Sequence, residues 1–219
     1  MKKILSLLLV LSSLNLFAQT TPEGVQIIDS IISGDGCLAG QVRGSLSPDK
    51  KELSFLFDNF ITESGTPVAP RIDKKHCIIR MKIAIPENWS MALASVDYRG
   101  FANVEEGGVA EHNAKYNLNK DKAEATFSNM TIQGPFSDIY FHRYSLPEDQ
   151  QSWSVCRARQ VQLMIKISLS SLSAKQVGNK RPITLLTLDS LDTSTRQSFG
   201  VNWKPCEIKK PGNGPKGKH

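Results

Sequence analysis

Short segments in which apolar and polar residues alternate run through most of the chain. In the clearest one, residues 79–85, every second side chain is apolar and basic residues lie between. Because successive side chains of a β-strand point to opposite faces, this pattern predicts a strand with one buried face. A second alternating segment, residues 91–99, follows a polar turn at Pro86–Asn88 and ends at Gly100. The short connection predicts that these two strands form an antiparallel pair.

The same alternation predicts strands elsewhere, separated by turns rich in Gly, Pro, Asn and Asp. The further predicted strands are residues 25–32, 42–47, 53–57, 109–118, 123–133, 139–144, 153–169, 183–188 and 199–203. A slip in the pattern near Asn129 indicates a bulge. Residues 168–175 are the nearest approach to a helix, but they are polar enough to form a loop or a hairpin end. About ten short strands without a clear helix predict an all-β fold, an antiparallel β-sandwich of the jelly-roll kind.

The first 18 residues have the pattern of a secretory signal peptide. Lys2 and Lys3 precede an apolar run over residues 4–11, and the segment ends in the small residue Ala18. This pattern predicts cleavage after Ala18 and export to the periplasm or the medium. The run is too short for a stable membrane span, and no cysteine at the cleavage point provides a lipoprotein anchor. The expected organisation is a leader (1–18), one β-domain (19–208) and a flexible tail (209–219).

The charge of the chain is concentrated in its two ends. Lys and Arg number 27 and Asp and Glu 21, which gives a formal charge of +6. Two lysines belong to the leader and four to the tail after Ile208, so the body between them is neutral. Nucleic-acid binding requires a clustered basic face, and the sequence shows only a basic tail. We therefore predict no nucleic-acid partner.

Four cysteines, Cys37, Cys77, Cys156 and Cys206, indicate disulfides in an exported protein. Of the three possible pairings we favour Cys37–Cys77 with Cys156–Cys206, because each joins neighbours in the sequence. In the chain-entropy model, each disulfide that closes a loop of this length adds about 4 kcal/mol to the free energy of unfolding. A zinc site is the alternative, but neither C-x-x-C nor H-x-x-x-H spacing is present.

Asp97 and Arg99 form the one candidate polar site, because they are two residues apart and share a strand face. An ion pair or hydrogen-bond network that orders the strand end explains them without any activity. A binding or catalytic pair is the functional alternative. No catalytic residues, metal ligands or cofactor are predicted, because the histidines are scattered and neither H-E-x-x-H nor G-x-S-x-G occurs.

Aromatic residues gather near predicted loops and strand ends. They are Tyr140, Phe141, Tyr144, Trp153 and Trp203. Exposed aromatic rings stack on sugar rings or anchor protein contacts, whereas buried rings serve packing. The sequence leaves both interpretations open.

Several segments together resemble one known family. They include S-G-D-G-C-L-A-G at Ser33–Gly40, V-D-Y-R-G-F at Val96–Phe101, Gly134–Pro135, W-S-V-C at Trp153–Cys156, and Cys206. The chain is similar, from Ile32 to Cys206, to the secreted bacterial and fungal family called domain of unknown function 4360. The resemblance implies export, paired cysteines and a compact β-domain. It implies no activity and no catalytic residue, because none is assigned to the family.

Three functions remain as hypotheses. The first is a non-enzymatic module of the cell envelope or extracellular space that binds a glycan or a protein. The second is a structural or protective secreted protein without a small ligand. The third is a secreted hydrolase of an extracellular polymer. That hydrolase requires a cleft in which Asp97 or another acid faces a second carboxylate or a histidine.

Overall fold

The computed structural model describes residues 21–66, 69–118, 125–175, 178, 181–188 and 197–207. The predicted leader (1–18), the predicted turn at Lys120–Lys122 and the predicted tail (209–219) lie outside these residues. Within them the chain forms twelve β-strands and a single 3₁₀ turn at Glu148–Gln150. The prediction of an all-β fold is confirmed.

The twelve strands are numbered in chain order. They are β1 Gln26–Ser33, β2 Val42–Leu46, β3 Glu52–Phe57, β4 Ile61–Ser64, β5 Ile72–Ala84, β6 Trp89–Val104, β7 Val109–Leu118, β8 Ala125–Gln133, β9 Phe136–Ser145, β10 Gln160–Leu172, β11 Thr184–Thr187 and β12 Gln197–Pro205. β7 matches its predicted bounds.

The strands form two antiparallel sheets. Sheet I has the order β1-β5-β10-β7-β8, and sheet II has the order β2-β3-β12-β6-β11-β4. Along one edge, the long strand β6 pairs first with β12 and then with β11. Its other edge pairs with β9. Inward side chains of both sheets are almost fully buried and form one continuous core, which is the arrangement of a β-sandwich.

The prediction that residues 79–85 and 91–99 pair with each other is wrong. β5 pairs with β1 and β10 in sheet I, whereas β6 lies in sheet II. The polar turn between them carries the chain from one sheet to the other. A hairpin and a crossing between sheets both need a short polar turn, so alternation alone does not identify a strand's partner.

Two local predictions also need correction. β4 lies at Ile61–Ser64, where the sequence predicted no strand. β10 begins at Gln160 and not at residue 153, because the preceding segment includes Arg157 at a positive φ of 66°. The bulge predicted near Asn129 is confirmed, because the register of β8 with β7 skips Phe127, two residues away.

Both favoured disulfides are present, Cys37–Cys77 and Cys156–Cys206. Cys37 and Cys77 are buried, and their bond joins the loop after β1 to β5. Cys156 and Cys206 join the connection before β10 to the end of β12 at the surface. Each bond therefore connects segments that also meet in the fold, and no free cysteine is left.

Candidate functional site

The outer face of sheet I carries a set of polar side chains that converge on one place. It is formed by the even-numbered residues of β5 and β10 and the odd-numbered residues of β7, since the alternate positions are buried in the core. The strand register aligns these residues in rows across the sheet. One row consists of His76, Ser168, Asn113 and Asn129, from four neighbouring strands.

The next row places two lysines side by side. Lys166 on β10 is directly opposite Lys115 on β7, and on its other side it is opposite Ile78 of β5. Side chains in directly opposite positions have Cβ atoms about 4.5–5.5 Å apart. Both lysines are half-buried. None of the four ion pairs within the described residues involves either of them.

These two rows line a shallow groove of about 380 Å³. Its lining residues are Lys74, His76, Glu111, Asn113, Lys115, Asn129, Lys166, Ser168, Leu169 and Ser170. The Ser170 hydroxyl donates to Glu111 Oε2 at 3.4 Å. Amide, hydroxyl, carboxylate and ammonium groups thus provide both donors and acceptors on one rigid surface.

A second depression of about 330 Å³ continues the outer face of sheet I toward β1. Its lining includes Arg80, Lys82, Asn117, Gln162 and Met164. Lys82 Nζ forms an ion pair with Asp29 Oδ2 at 3.2 Å. The two depressions together extend along most of the length of β5 and β10.

The outer face of sheet I is positively charged. Its positions on β1, β5, β7 and β10 carry five Lys or Arg residues against two carboxylates, Asp29 and Glu111. The sequence predicted a basic region only in the tail, because the five cations of this face come from three separate strands. The alternation of Lys74, His76, Arg80 and Lys82 along β5 was visible in the sequence, but the contribution of β7 and β10 depends on the register.

Asp97 and Arg99, the predicted polar site, lie on the outer face of sheet II. Asp97 is opposite Arg143 of β9 and not bound to Arg99. Arg143 Nε donates to Asp97 Oδ1 at 2.7 Å, and Nη2 donates to Oδ2 at 2.5 Å. The hydrogen bond to Asp97 raises the pKa of Arg143 above its usual value. Both oxygens of Asp97 are therefore already engaged by a cation.

The predicted aromatic residues divide between the core and the surface. Tyr140 and Trp203 are buried, and Lys204 Nζ lies 4.0 Å from the ring centre of Trp153. Phe141 is exposed and forms, with Phe101 and Ile139, an apolar strip on the outer face of sheet II. The apolar strip faces away from the groove on sheet I.

A stack of three rings fills the core near β9. The Tyr98 ring lies 3.9 Å from His112 and 5.0 Å from His142, measured between ring centres. Burial lowers the pKa of His112 to about 3 and raises that of Tyr98 to about 12. The Tyr98 hydroxyl bonds to Ser128, whereas neither ring nitrogen of His112 has a hydrogen-bond partner in the described part of the chain. His112 is inaccessible, so its role is in packing.

Within the ranges that the structure describes, no three His, Cys, Asp or Glu side chains are grouped as metal ligands are. The same ranges contain no helix that is long and apolar enough to cross a bilayer.

Residues 23–206 match the family described as Domain of unknown function (DUF4360). The chain belongs to this family. It is also 27% identical over 188 residues to a protein of Arthroderma benhamiae described as an uncharacterized secreted protein. That alignment covers 84% of this chain and 73% of the fungal protein. Neither description names a ligand or an activity.

Motif residues that this DUF4360 protein shares with its family have evident roles in the fold. A Cβ atom on Gly34 would collide with the backbone carbonyl of His76, and one on Gly100 would collide with the backbone carbonyl of Thr187. The four cysteines form the two disulfides, Cys37–Cys77 and Cys156–Cys206. The motifs therefore identify the architecture, and the function has to be inferred from the surface.

Proposed function

We propose that the protein is an exported, non-enzymatic module that binds a glycan on the outer face of sheet I. The observation that carries the proposal is the row of His76, Ser168, Asn113 and Asn129 inside the groove, next to Lys115 and Lys166. A saccharide presents many hydroxyls, each of which donates and accepts. Side chains fixed on four paired strands are positioned to meet such a ligand without a large ordering cost.

Export supports an extracellular or periplasmic ligand. Two disulfides are typical of proteins that fold outside the cytoplasm, and the fungal relative is described as secreted. Our proposal includes a leader cleaved after Ala18, a single β-domain at residues 19–208 and a basic tail at 209–219. Binding at the cell envelope or in the medium is compatible with this organisation.

A hydrolase of an extracellular polymer is the weaker alternative. It requires an acid and a second carboxylate or histidine across a cleft, with the two groups free to act on the substrate. Asp97, the acid that the sequence singled out, has both carboxylate oxygens bound by Arg143. His112 is buried in the core. Neither residue meets this requirement. The groove does contain an acid and a histidine, Glu111 and His76, but they lie in successive rows on β7 and β5, with β10 between them.

A glycan array tests this proposal. The full chain, secreted through its own leader, is labelled and applied to immobilised plant, fungal and bacterial glycans. We expect binding that is lost in the double variant Asn113→Ala/Ser168→Ala and retained in Phe141→Ser, which removes an exposed ring from sheet II. Absence of binding to every glycan would contradict the proposal, and so would loss of binding in Phe141→Ser alone.

A further inference from the structure

We infer that the glycan bound by the outer face of sheet I is a polyanion, with carboxylate or sulfate groups repeated along its length. This inference rests on the proposed function and names its ligand class. Three features of the side chains on this face support the inference.

The first feature is the pair Lys115 and Lys166. Like charges directly opposite each other on adjacent strands are destabilising, and half-burial weakens the screening of their repulsion by water. No carboxylate forms an ion pair with either lysine within the described residues. An anionic group seated between the two ammonium groups would convert this repulsion into two attractions.

The second feature is a row of cationic side chains along the strands, which we call the cationic row. β5 presents Lys74, Arg80 and Lys82 at outer positions. The outer positions between Lys74 and Arg80 are occupied by His76 and Ile78. Lys166 is directly opposite Ile78 and supplies a cation there from the neighbouring strand. Alternate residues of a strand are about 6.6–6.8 Å apart, so the cationic row extends roughly 26 Å.

A row of cations along neighbouring strands fits an extended polymer with repeated charges. A small anion would occupy one position only. Asp29 and Glu111 are the two carboxylates at the outer positions of β1, β5, β7 and β10. Asp29 is bound to Lys82 at one end of the cationic row, and Glu111 accepts from Ser170 beside Lys74. The other three members of the row form no ion pair within the described residues.

The third feature argues against a single-stranded nucleic acid as the polyanion. Proteins that bind single strands combine cations with aromatic side chains on which the bases stack. The outer positions of β5, β7 and β10 include no Phe, Tyr or Trp. Serine and asparagine side chains lie beside the cations and suit hydroxyl groups.

Titration calorimetry with the full secreted chain tests this inference. The ligands are polygalacturonate, dextran sulfate, neutral dextran and a thymidine oligonucleotide, at low and at high salt. We expect the two anionic glycans to bind at least about tenfold more tightly than dextran, a difference of roughly 1.4 kcal/mol. Their affinity is expected to fall as salt rises.

Two double variants with the same charge change locate the site. Lys115→Gln/Lys166→Gln is expected to weaken binding of the anionic glycans at least about tenfold. Lys50→Gln/Lys51→Gln removes two charges from the turn before β3 in sheet II and is expected to leave binding unchanged. Thermal unfolding of both variants verifies that they fold.

The outcomes separate the inference from the proposed function. Equal binding of dextran and polygalacturonate would overturn the inference while supporting the proposed function. Oligonucleotide binding as tight as that of the anionic glycans would overturn the inference by showing unselective capture of polyanions. Binding of no polymer would contradict both.

Discussion

Lys115 and Lys166 are directly opposite each other on β7 and β10, half-buried and without an ion-pair partner within the described residues. This arrangement is unfavourable for the ligand-free protein, and it lies at the centre of the proposed binding surface. Surfaces that bind charged ligands often retain such unfavourable interactions, because function and stability place different demands on the same residues.

The first prediction is that removing one of these charges stabilises the free protein. Lys166→Gln relieves the repulsion and is expected to raise the free energy of unfolding by about 0.5 kcal/mol at low salt. For a domain of this size that corresponds to roughly 1–2 °C in Tm. Differential scanning calorimetry measures the change, which is expected to shrink as salt is added. Lys51→Gln serves as the control, and an equal gain there would show an effect of net charge only.

The second prediction concerns the stability of the protein in acid. Burial holds the pKa of His112 at about 3, below its value of 6.5 in the unfolded chain. The unfolded state therefore binds more protons between these pH values, so stability is complete above pH 6.5 and falls as pH falls toward 3. The expected loss from this group is about 2 kcal/mol at pH 5.

Urea unfolding at pH 7 and pH 5 measures this loss. His112→Phe keeps a ring against Tyr98 and removes the titrating group, so the variant is expected to be less sensitive to pH than the wild type. The same pH dependence in both proteins would show that another group is responsible.

The third prediction separates the two disulfides. Cys37–Cys77 is buried, whereas Cys156 is exposed and Cys206 half-buried. A mild reductant is therefore expected to open Cys156–Cys206 first, because thiolate attack requires access to sulfur. Alkylation followed by peptide mass spectrometry identifies the order. Replacing either pair of cysteines by serine is expected to lower the free energy of unfolding by about 2–5 kcal/mol, and more for the buried pair than for the exposed one. Reduction of Cys37–Cys77 first would contradict the described burial.

The fourth prediction concerns Asp97. Its partner Arg143 is largely exposed, and exposed ion pairs typically contribute less than about 1 kcal/mol. Asp97→Asn is therefore expected to lower stability only slightly and to leave glycan binding unchanged. Chemical denaturation and the glycan array measure the two effects. Release of reducing ends from a polymer by the wild type, lost in Asp97→Asn, would instead support the hydrolase alternative.

The sequence predicted the fold class and most strand positions, because alternation is a local signal. It also predicted both disulfides, by pairing cysteines that follow one another along the chain. It did not predict that β5 and β6 lie in different sheets, since a short polar turn permits either connection. Gly100 illustrates the same limit. It was expected to end a strand, but it lies inside β6, where Tyr140 and the backbone of Thr187 leave no room for a side chain.

The proposed site was even less visible in the sequence. Lys115 and Lys166 are 51 positions apart, and only the register of β7 with β10 places them together. The residues that did stand out, Asp97 and Arg99, share a face of β6 as expected, but Asp97 is paired with Arg143 from another strand, β9. Pairing between distant segments determines a surface site, and a pattern within one segment does not contain that information.

NMR spectroscopy of the isotope-labelled protein, titrated with an oligogalacturonate, tests the central claim most directly. If the outer face of sheet I binds an anionic glycan, signals of Lys74, Asn113, Lys115, Lys166 and Ser168 will shift in a saturable manner. The apolar strip of Phe101, Ile139 and Phe141 will remain unchanged. Shifts confined to that strip, or no shifts at millimolar ligand, would contradict the claim.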